Sequence, residues 1–591
     1  MVFKSQSMHT FRIIFLLQFI FLSFCYSQSK IPKMASLPTT SFEQNPNTTS
    51  TYSEIVAYYN QLGESSDLIQ VSDFGMTDIG FPLQEVVIAK NGHFTPEESR
   101  KAGKSILFIN NGIHPGEPDG MDASMIFVRD LIAKPELTAL LDKVTVVVIP
   151  VYNIGGTINR SATSRANQNG PDAYGFRGNA KNLDLNRDFV KCDSKNARSF
   201  NAFFHKWDPD VQIDTHTSNG ADYQYTMTLI ATQKDKLHPM LSSFMTDLML
   251  PDLYKNMKSQ NWEMVPYVYA NGTPETGIYG FMDHPRYSSG YAAMHHTISF
   301  MPETHMLKPY ADRVWSTHAF LKVGLQFMYQ NGNRLAEIRT KVKNEVKEQQ
   351  SFDLLYEIDK SEPDTILFKG YEAKYKPSLV SGIDRLYYDR SSPWEKPVPF
   401  YNDYKPTLSI QKPKAYIIPQ AYDEIMSKME VNGVKVDKLS SDTVFKVELY
   451  HIDSYETSKV AYEGHYNHSD VKVTKIDMDK QYYKGDFIIY TNQVANRYII
   501  EMLEPQGIDG WFAWNFFDGI LMQKEGFSAY VFEDLAAEIL KNDENLRSKL
   551  AQKRADDPKF ATNAWAQLDF VYKNSPYYEK THNLYPVARA K

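Results

Sequence analysis

Four short segments bring together the residue types that hydrolytic metal chemistry uses. In Asn110-Asn111-Gly112-Ile113-His114-Pro115-Gly116-Glu117, an imidazole and a carboxylate fall on one side of a tight turn. Nitrogen and oxygen donors of this kind suit zinc. Asn182-Leu183-Asp184-Leu185-Asn186-Arg187-Asp188-Phe189 combines an acid, an amide and an arginine in one loop. In Ile213-Asp214-Thr215-His216 a histidine follows a short apolar run, and in Phe300-Met301-Pro302-Glu303-Thr304-His305 an acid does the same. Each spacing alone is common. His and Glu three apart also reads as a capped helix start, with Glu117 near the helix N-terminus. Four such clusters, each beside a strand-like run, are not explained by packing.

The runs that must position them are residues 105–109, 144–149, 211–214 and 297–300. They are short, β-branched or aromatic and nearly continuous, as strands buried on both faces are. Between the first two, Met125, Val128, Leu131 and Ile132 have helical spacing within 121–133. The alternation predicts an α/β domain with a mixed, largely parallel sheet flanked by helices. Groups just past the carboxyl ends of neighbouring strands then converge on one crevice, with His216 and Glu303 placed there. Residues 333–350 are charge-rich and read as a connecting helix. The expected organisation is a signal peptide over 1–27, a loose polar lead-in over 28–51, a catalytic domain over 52–345, and a β-rich α+β region over 346–591 with room for two subdomains. No internal repeat or low-complexity tract is present.

Composition sets the outer limits. With 42% hydrophobic and 23% charged residues, the chain is that of a folded globular protein. A balance of 64 basic against 71 acidic residues leaves no electrostatic footprint for nucleic acid. Lys4 and Arg12 precede an apolar run over residues 13–24, too short for a membrane span of about 20 residues and matching a secretory signal. Cleavage is expected after Ser27, giving a secreted or periplasmic protein with no transmembrane segment. Phe24 before Cys25 argues against a lipoprotein anchor. Only Cys192 then remains, so no intramolecular disulfide is available.

In order along the chain, the His-x-x-Glu pair, the Asp-Leu-Asn-Arg-Asp-Phe block, the Asp-x-His and the late glutamate resemble the zinc carboxypeptidase family, the carboxypeptidase A-like fold. The resemblance covers roughly residues 52–330. It implies that His114, Glu117 and His216 bind one Zn²⁺ per chain and leave a position open for water, as catalytic zinc sites do. It also implies that Glu303 is the general base, that Asp184 holds the His114 ring, and that Asn186 and Arg187 grip the terminal carboxylate of a peptide substrate. The carbonyl-polarising arginine falls on Arg177, nine residues before Asn186, with Arg165 as the alternative. For the tyrosine that closes over substrate, Tyr279, Tyr287 and Tyr291 compete, and Tyr287 is favoured by its loop-like stretch beside Arg286. The implied activity is a zinc-dependent metallocarboxypeptidase using metal-activated water. A related amidase acting on N-acyl amino acids and a non-catalytic peptide-binding relative are the alternatives.

Other candidates take plainer readings. His295, His296 and His305 read as packing or hydrogen-bonding histidines. His465-x-x-His468 has metal-like spacing in a polar loop but reads as structural, and the aromatic cluster over 511–517 reads as core. His-Glu-x-x-His and Gly-x-Ser-x-Gly are both absent. Side-chain preference, oligomeric state and the role of residues 346–591 are not encoded in any motif.

Overall fold

The computed structural model describes residues 34–591; the expected signal peptide and the start of the lead-in lie outside the described residues. The first half is built on ten strands: β1 (Ile69–Met76), β2 (Pro82–Ile88), β3 (Ser105–Asn110), β4 (Val144–Ile149), β5 (Val211–Asp214), β6 (His216–Ser218), β7 (Met227–Ala231), β8 (Met264–Pro266), β9 (Ile278–Tyr279) and β10 (Ile298–His305). All but β9 form one sheet in the order β1-β2-β4-β3-β5-β10-β7-β8, with β6 continuing the line of β5 alongside β10. Pairings β3–β4, β3–β5, β5–β10, β6–β10 and β7–β8 are parallel, whereas β1–β2, β2–β4 and β7–β10 are antiparallel. The sheet is mixed and largely parallel at its centre. Every residue of β3 and β4 is buried, which is why these strands are apolar on both faces.

Helices Asp119–Ala133, Lys195–Trp207 and Tyr310–Glu348 cover the sheet. The last is one continuous 39-residue helix, so the charge-rich stretch at 333–350 is its distal part and not a separate connector. The lead-in is packed from Thr40 onward. Thr40 and Glu43 form a capping box on helix Ser41–Gln44, Phe42 is buried, and Glu43 pairs with both terminal nitrogens of Arg129 at 2.7 and 2.8 Å.

The second half holds long antiparallel hairpins, Asp364–Pro377 with Asp384–Tyr401 and Thr443–Thr457 with His468–Tyr482. The second belongs to a six-stranded sheet in which Ala588–Ala590 lies between Ala415–Ile418 and Thr443–Thr457. Helices Ala529–Asn542, Glu544–Asp556 and Ala564–Lys573 enclose a small core of their own. The two halves are not independent. Phe400–Tyr401 runs parallel to β9, and one continuous apolar core includes Phe200, Phe204 and Tyr291 together with Met429, Tyr498 and Trp511.

Candidate active site

Backbone geometry carries each polar cluster to the same end of the sheet. After β3, Gly112 turns the chain at φ 68°, a left-handed conformation that glycine adopts without Cβ strain. His114 and Glu117 follow in that turn. Helix Asp119–Ala133 begins so close to the β5–β6 junction that a Cβ on Gly120 would lie 2.0 Å from Thr215 Oγ1. At that junction the strand breaks at Thr215, whose N–H donates to Asn110 O at 3.1 Å, and resumes with His216. His216 therefore lies just past the end of β5, as expected, and also opens β6. Glu303 lies inside β10, because β10 continues to pair with β6 and β7 beyond Phe300.

His114, Glu117 and His216 are all buried, and one ligand atom from each lies within 4.8 Å of the others. His216 Nδ1 is 3.1 Å from Glu117 Oε2, and His114 Nδ1 is 3.3 Å from Glu117 Oε1. Bonds of about 2.1 Å in a tetrahedral zinc site separate ligand atoms by roughly 3.4 Å. His114 Nδ1 is buried without a hydrogen-bond partner, which is how a metal-facing nitrogen stands in protein atoms alone. The opposite ring nitrogens are both held: His114 Nε2 lies 2.8 Å from Asp184 Oδ1 and His216 Nε2 lies 3.1 Å from Asp214 Oδ2. Such carboxylate partners fix the tautomer and orientation of ligand imidazoles. The donor set, the orphaned nitrogen and the paired carboxylates fit zinc.

Electrostatics reinforce this. Burial works to raise the Glu117 carboxyl, but Arg165 and His114 outweigh it and hold it well below the usual range. Burial works against a charge on His216, yet Asp214 and Glu117 draw its ring well above the ordinary histidine value. That pull favours positive charge at this point. Glu303 is pushed up to about 7 by burial, with His216 opposing and Glu117 assisting.

The sequence-derived candidates gather in one cleft, lined by His114, Glu117, Arg165, Arg177, Asn186, Arg187, His216, Tyr287 and Glu303. Asp184 sits behind it, its Oδ1 accepting the Asn186 N–H at 2.9 Å and its Oδ2 taking Arg177 Nε at 2.9 Å. Both candidate arginines reach Glu117: Arg165 Nη1 at 2.5 Å and Arg177 Nη1 at 3.6 Å. Of the three tyrosines, Tyr287 lies under the Arg187 guanidinium at 4.5 Å, Tyr291 is fully buried in the core, and Tyr279 stacks on Tyr401.

Several contributors were not singled out from the sequence. Asp214 is one, although the Asp-x-His spacing carries its signal. Ser288 is another: it donates from Oγ to Asp214 and from N to Asn186 Oδ1. His465 and His468 share no site, since His465 pairs with Asp193 and His468 with Asp518. Next to the cleft lies a second, mainly apolar pocket containing Met245, Tyr254 and Phe400; it shares Ile230, Tyr267 and Phe281 with the cleft.

A His-Glu-His site at the carboxyl ends of the central strands of a mixed sheet, with a half-buried glutamate beside it, is the arrangement of a zinc hydrolase of the metallopeptidase class. Residues 55–281 match the family described as zinc carboxypeptidase. Carboxypeptidase 2 of Trichophyton rubrum is 23% identical over 432 residues, spanning 70% of this chain and 74% of the relative. A probable carboxypeptidase 2 of Arthroderma benhamiae is 22% identical over 414 residues, 67% of this chain and 72% of its own. Among solved structures, carboxypeptidase A from Helicoverpa armigera aligns with a TM-score of 0.37 at 15% identity, covering 50% of this chain and 77% of that one. A metallo-carboxypeptidase from Burkholderia cenocepacia aligns at 0.35 and 17%, covering 47% and 68%. No helix among the described residues is long and apolar enough to cross a membrane.

Proposed function

We propose that the protein is an exported metallocarboxypeptidase that removes single residues from the C-termini of peptides. The observation that carries this reading is the joint placement of the zinc-fitting triad, Glu303 and Arg187 in one cleft. His114, Glu117 and His216 would hold one zinc ion; when bound, it supplies Lewis acidity toward the scissile carbonyl and toward water. Glu303 accepts a proton from the attacking water and returns it to the leaving amine. Its elevated affinity for a proton suits both steps. Arg187, with the free amide edge of Asn186, grips the terminal carboxylate, to which a guanidinium offers a two-pronged match. Arg177, the more exposed of the two upstream arginines, and Arg165 behind it steady the carbonyl oxygen as charge develops there.

The apolar pocket that opens from the cleft past Ile230, Tyr267 and Phe281 supports a preference for apolar or aromatic side chains on the released residue. The catalytic unit over 52–345 is completed by the region over 346–591, which contributes Phe400 to this pocket. The apolar run over residues 13–24 supports export.

The test is to incubate the zinc-loaded protein with a mixed peptide pool and with N-acyl amino acids and to read products by mass spectrometry. Loss of single apolar residues from peptide C-termini is expected. Acid release confined to N-acyl amino acids would select the amidase reading. If both substrate sets stay intact, the catalytic reading is overturned.

A further inference from the structure

The hairpin Thr443–Thr457/His468–Tyr482 ends in a loop that rests against the clamp residues of the first half. Its turn is tight: Tyr462 and His465 exchange backbone hydrogen bonds of 2.7 and 3.0 Å. Glu463 and Gly464 occupy the two central positions with φ of 50° and 85°. Two-residue turns of this hand favour Asn-Gly and Gly-Gly, so a glutamate in the left-handed region is strained. Such strain persists where surrounding contacts impose it, and it clusters at functional sites.

The contacts are specific. Glu463 Oε2 accepts the N–H of Asp184 at 2.7 Å, and Asp184 is the residue whose side chain holds His114. One residue earlier, the Tyr462 hydroxyl accepts Arg187 Nε at 2.9 Å. Arg187 Nη1 donates to Asn186 O at 2.8 Å, and Tyr287 supports the guanidinium face. Among the described residues nothing accepts from Nη2, which leaves that edge for a ligand. The competing position for Arg187 is Asp184, whose Oδ2 lies 3.9 Å from Nη1. In a planar fork with five donors, the acceptor on Nε fixes the rotation of the whole group. Tyr462 thus holds the fork toward the cleft and away from Asp184.

The tyrosine is itself braced. Its ring stacks on Trp514, with centroids 6.2 Å apart and planes 17° apart. The Arg286 guanidinium lies 5.6 Å from the Tyr462 ring and 5.1 Å from that of Trp514, and is fixed by Asp509 at 2.8 Å. At the far side of the turn, His465 Nε2 lies 2.7 Å from Asp193 Oδ2. The loop is tied to the first half through Tyr462, Glu463 and His465.

We propose that Tyr462 is a positioning residue for the Arg187 carboxylate clamp, supplied by the second half of the chain. Discrimination between a free C-terminal carboxylate and a blocked terminus then depends on residues far outside the catalytic domain. This rests on the reading of Arg187 as the clamp.

Tyr462→Phe removes only the acceptor oxygen and keeps the ring, its stacking on Trp514 and its contact with Arg286. Binding of N-acetylphenylalanine and of its C-terminal amide is measured by calorimetry on the zinc-loaded full chain, for wild type, Tyr462→Phe and the control Tyr466→Phe. Tyr466 lies in the same loop and is 53% exposed. A hydrogen bond to a charged group being lost, affinity for the acid is expected to fall about tenfold in Tyr462→Phe, with the amide unaffected and the melting temperature unchanged. In peptide hydrolysis the change appears in KM more than in kcat. Tyr466→Phe is expected to behave as wild type. If the wild type binds acid and amide equally, the clamp reading fails and this inference with it. If the wild type discriminates and Tyr462→Phe discriminates equally well, the inference alone is overturned.

Discussion

Glu303 and His216 are register partners in the parallel pairing of β10 with β6. Partners in such a pair project to the same face of a sheet, so main-chain hydrogen bonds set the distance between the proposed base and the proposed metal ligand. Glu303→Gln keeps this backbone and removes proton transfer. Turnover is expected to fall by about 10²–10⁴, with zinc stoichiometry by atomic absorption unchanged. Undiminished turnover would remove Glu303 from the role of base.

Asp214 is fully buried and orients the His216 ring through Nε2, with Ser288 Oγ as its second partner. Asp214→Asn is expected to weaken zinc affinity roughly 10–100-fold, the usual cost of losing a carboxylate behind a ligand imidazole. Competition against a chelator measures it, and wild-type affinity would show that His216 needs no such support.

Asp193 binds Lys428 at 2.9 Å, Lys191 at 3.0 Å and His465 at 2.7 Å, joining the two halves of the chain. Both lysines are almost completely buried. Asp193→Asn takes from Lys428 its nearest carboxylate, while Lys191 keeps Asp188 at 2.8 Å, and removing one member of a buried ion pair costs about 3–5 kcal/mol. A shift of the denaturant midpoint to clearly lower concentration is expected. A shift worth less than about 1 kcal/mol would mean that the network behaves like an exposed one.

Burial pushes the His296 and His305 rings down to about 4. An unfolded chain protonates these rings near the ordinary value of about 6.5, so between those limits it binds more protons than the folded protein. The stability tied to the neutral rings is complete above pH about 6.5 and is lost as pH falls toward about 4. A tenfold weaker hold on a proton is worth about 1.4 kcal/mol, so either ring contributes on the order of 3 kcal/mol. Melting temperatures are expected to fall steadily from pH 7 to 4.5, and a flat profile there would contradict the burial of these rings.

Legibility in the sequence followed locality. His114 and Glu117 are three apart in one turn, and Asp184, Asn186 and Arg187 share one short loop. Their grouping survives folding because few torsions separate them. The strand runs were visible as apolar stretches, but their ends were not. β10 runs on through Glu303 because β6 and β7 lie on either side of it, and no residue preference within 298–305 reports that neighbour. Asp214 was within reach, two residues before His216 and on the strand that delivers it. Tyr462 was not: 275 positions separate it from Arg187, and the hydrogen bond depends on where a distant hairpin ends. The 511–517 cluster is core, as its aromatic content suggested, yet Trp514 also braces Tyr462.

The place of Ala588–Ala590 between Ala415–Ile418 and Thr443–Thr457 bears on the timing of synthesis. A ribosome adds about 5–20 residues per second. The proposed zinc ligands are complete at His216, about 370 residues before the strand that finishes the sheet under the Tyr462 hairpin. From the end of β10 at His305 to that strand is about 280 residues, and for some tens of seconds at those rates a growing chain would carry the candidate ligands and Arg187 with no anchored tyrosine beside them. The ability to tell a free chain end from an internal peptide bond would be among the last properties the growing protein acquires.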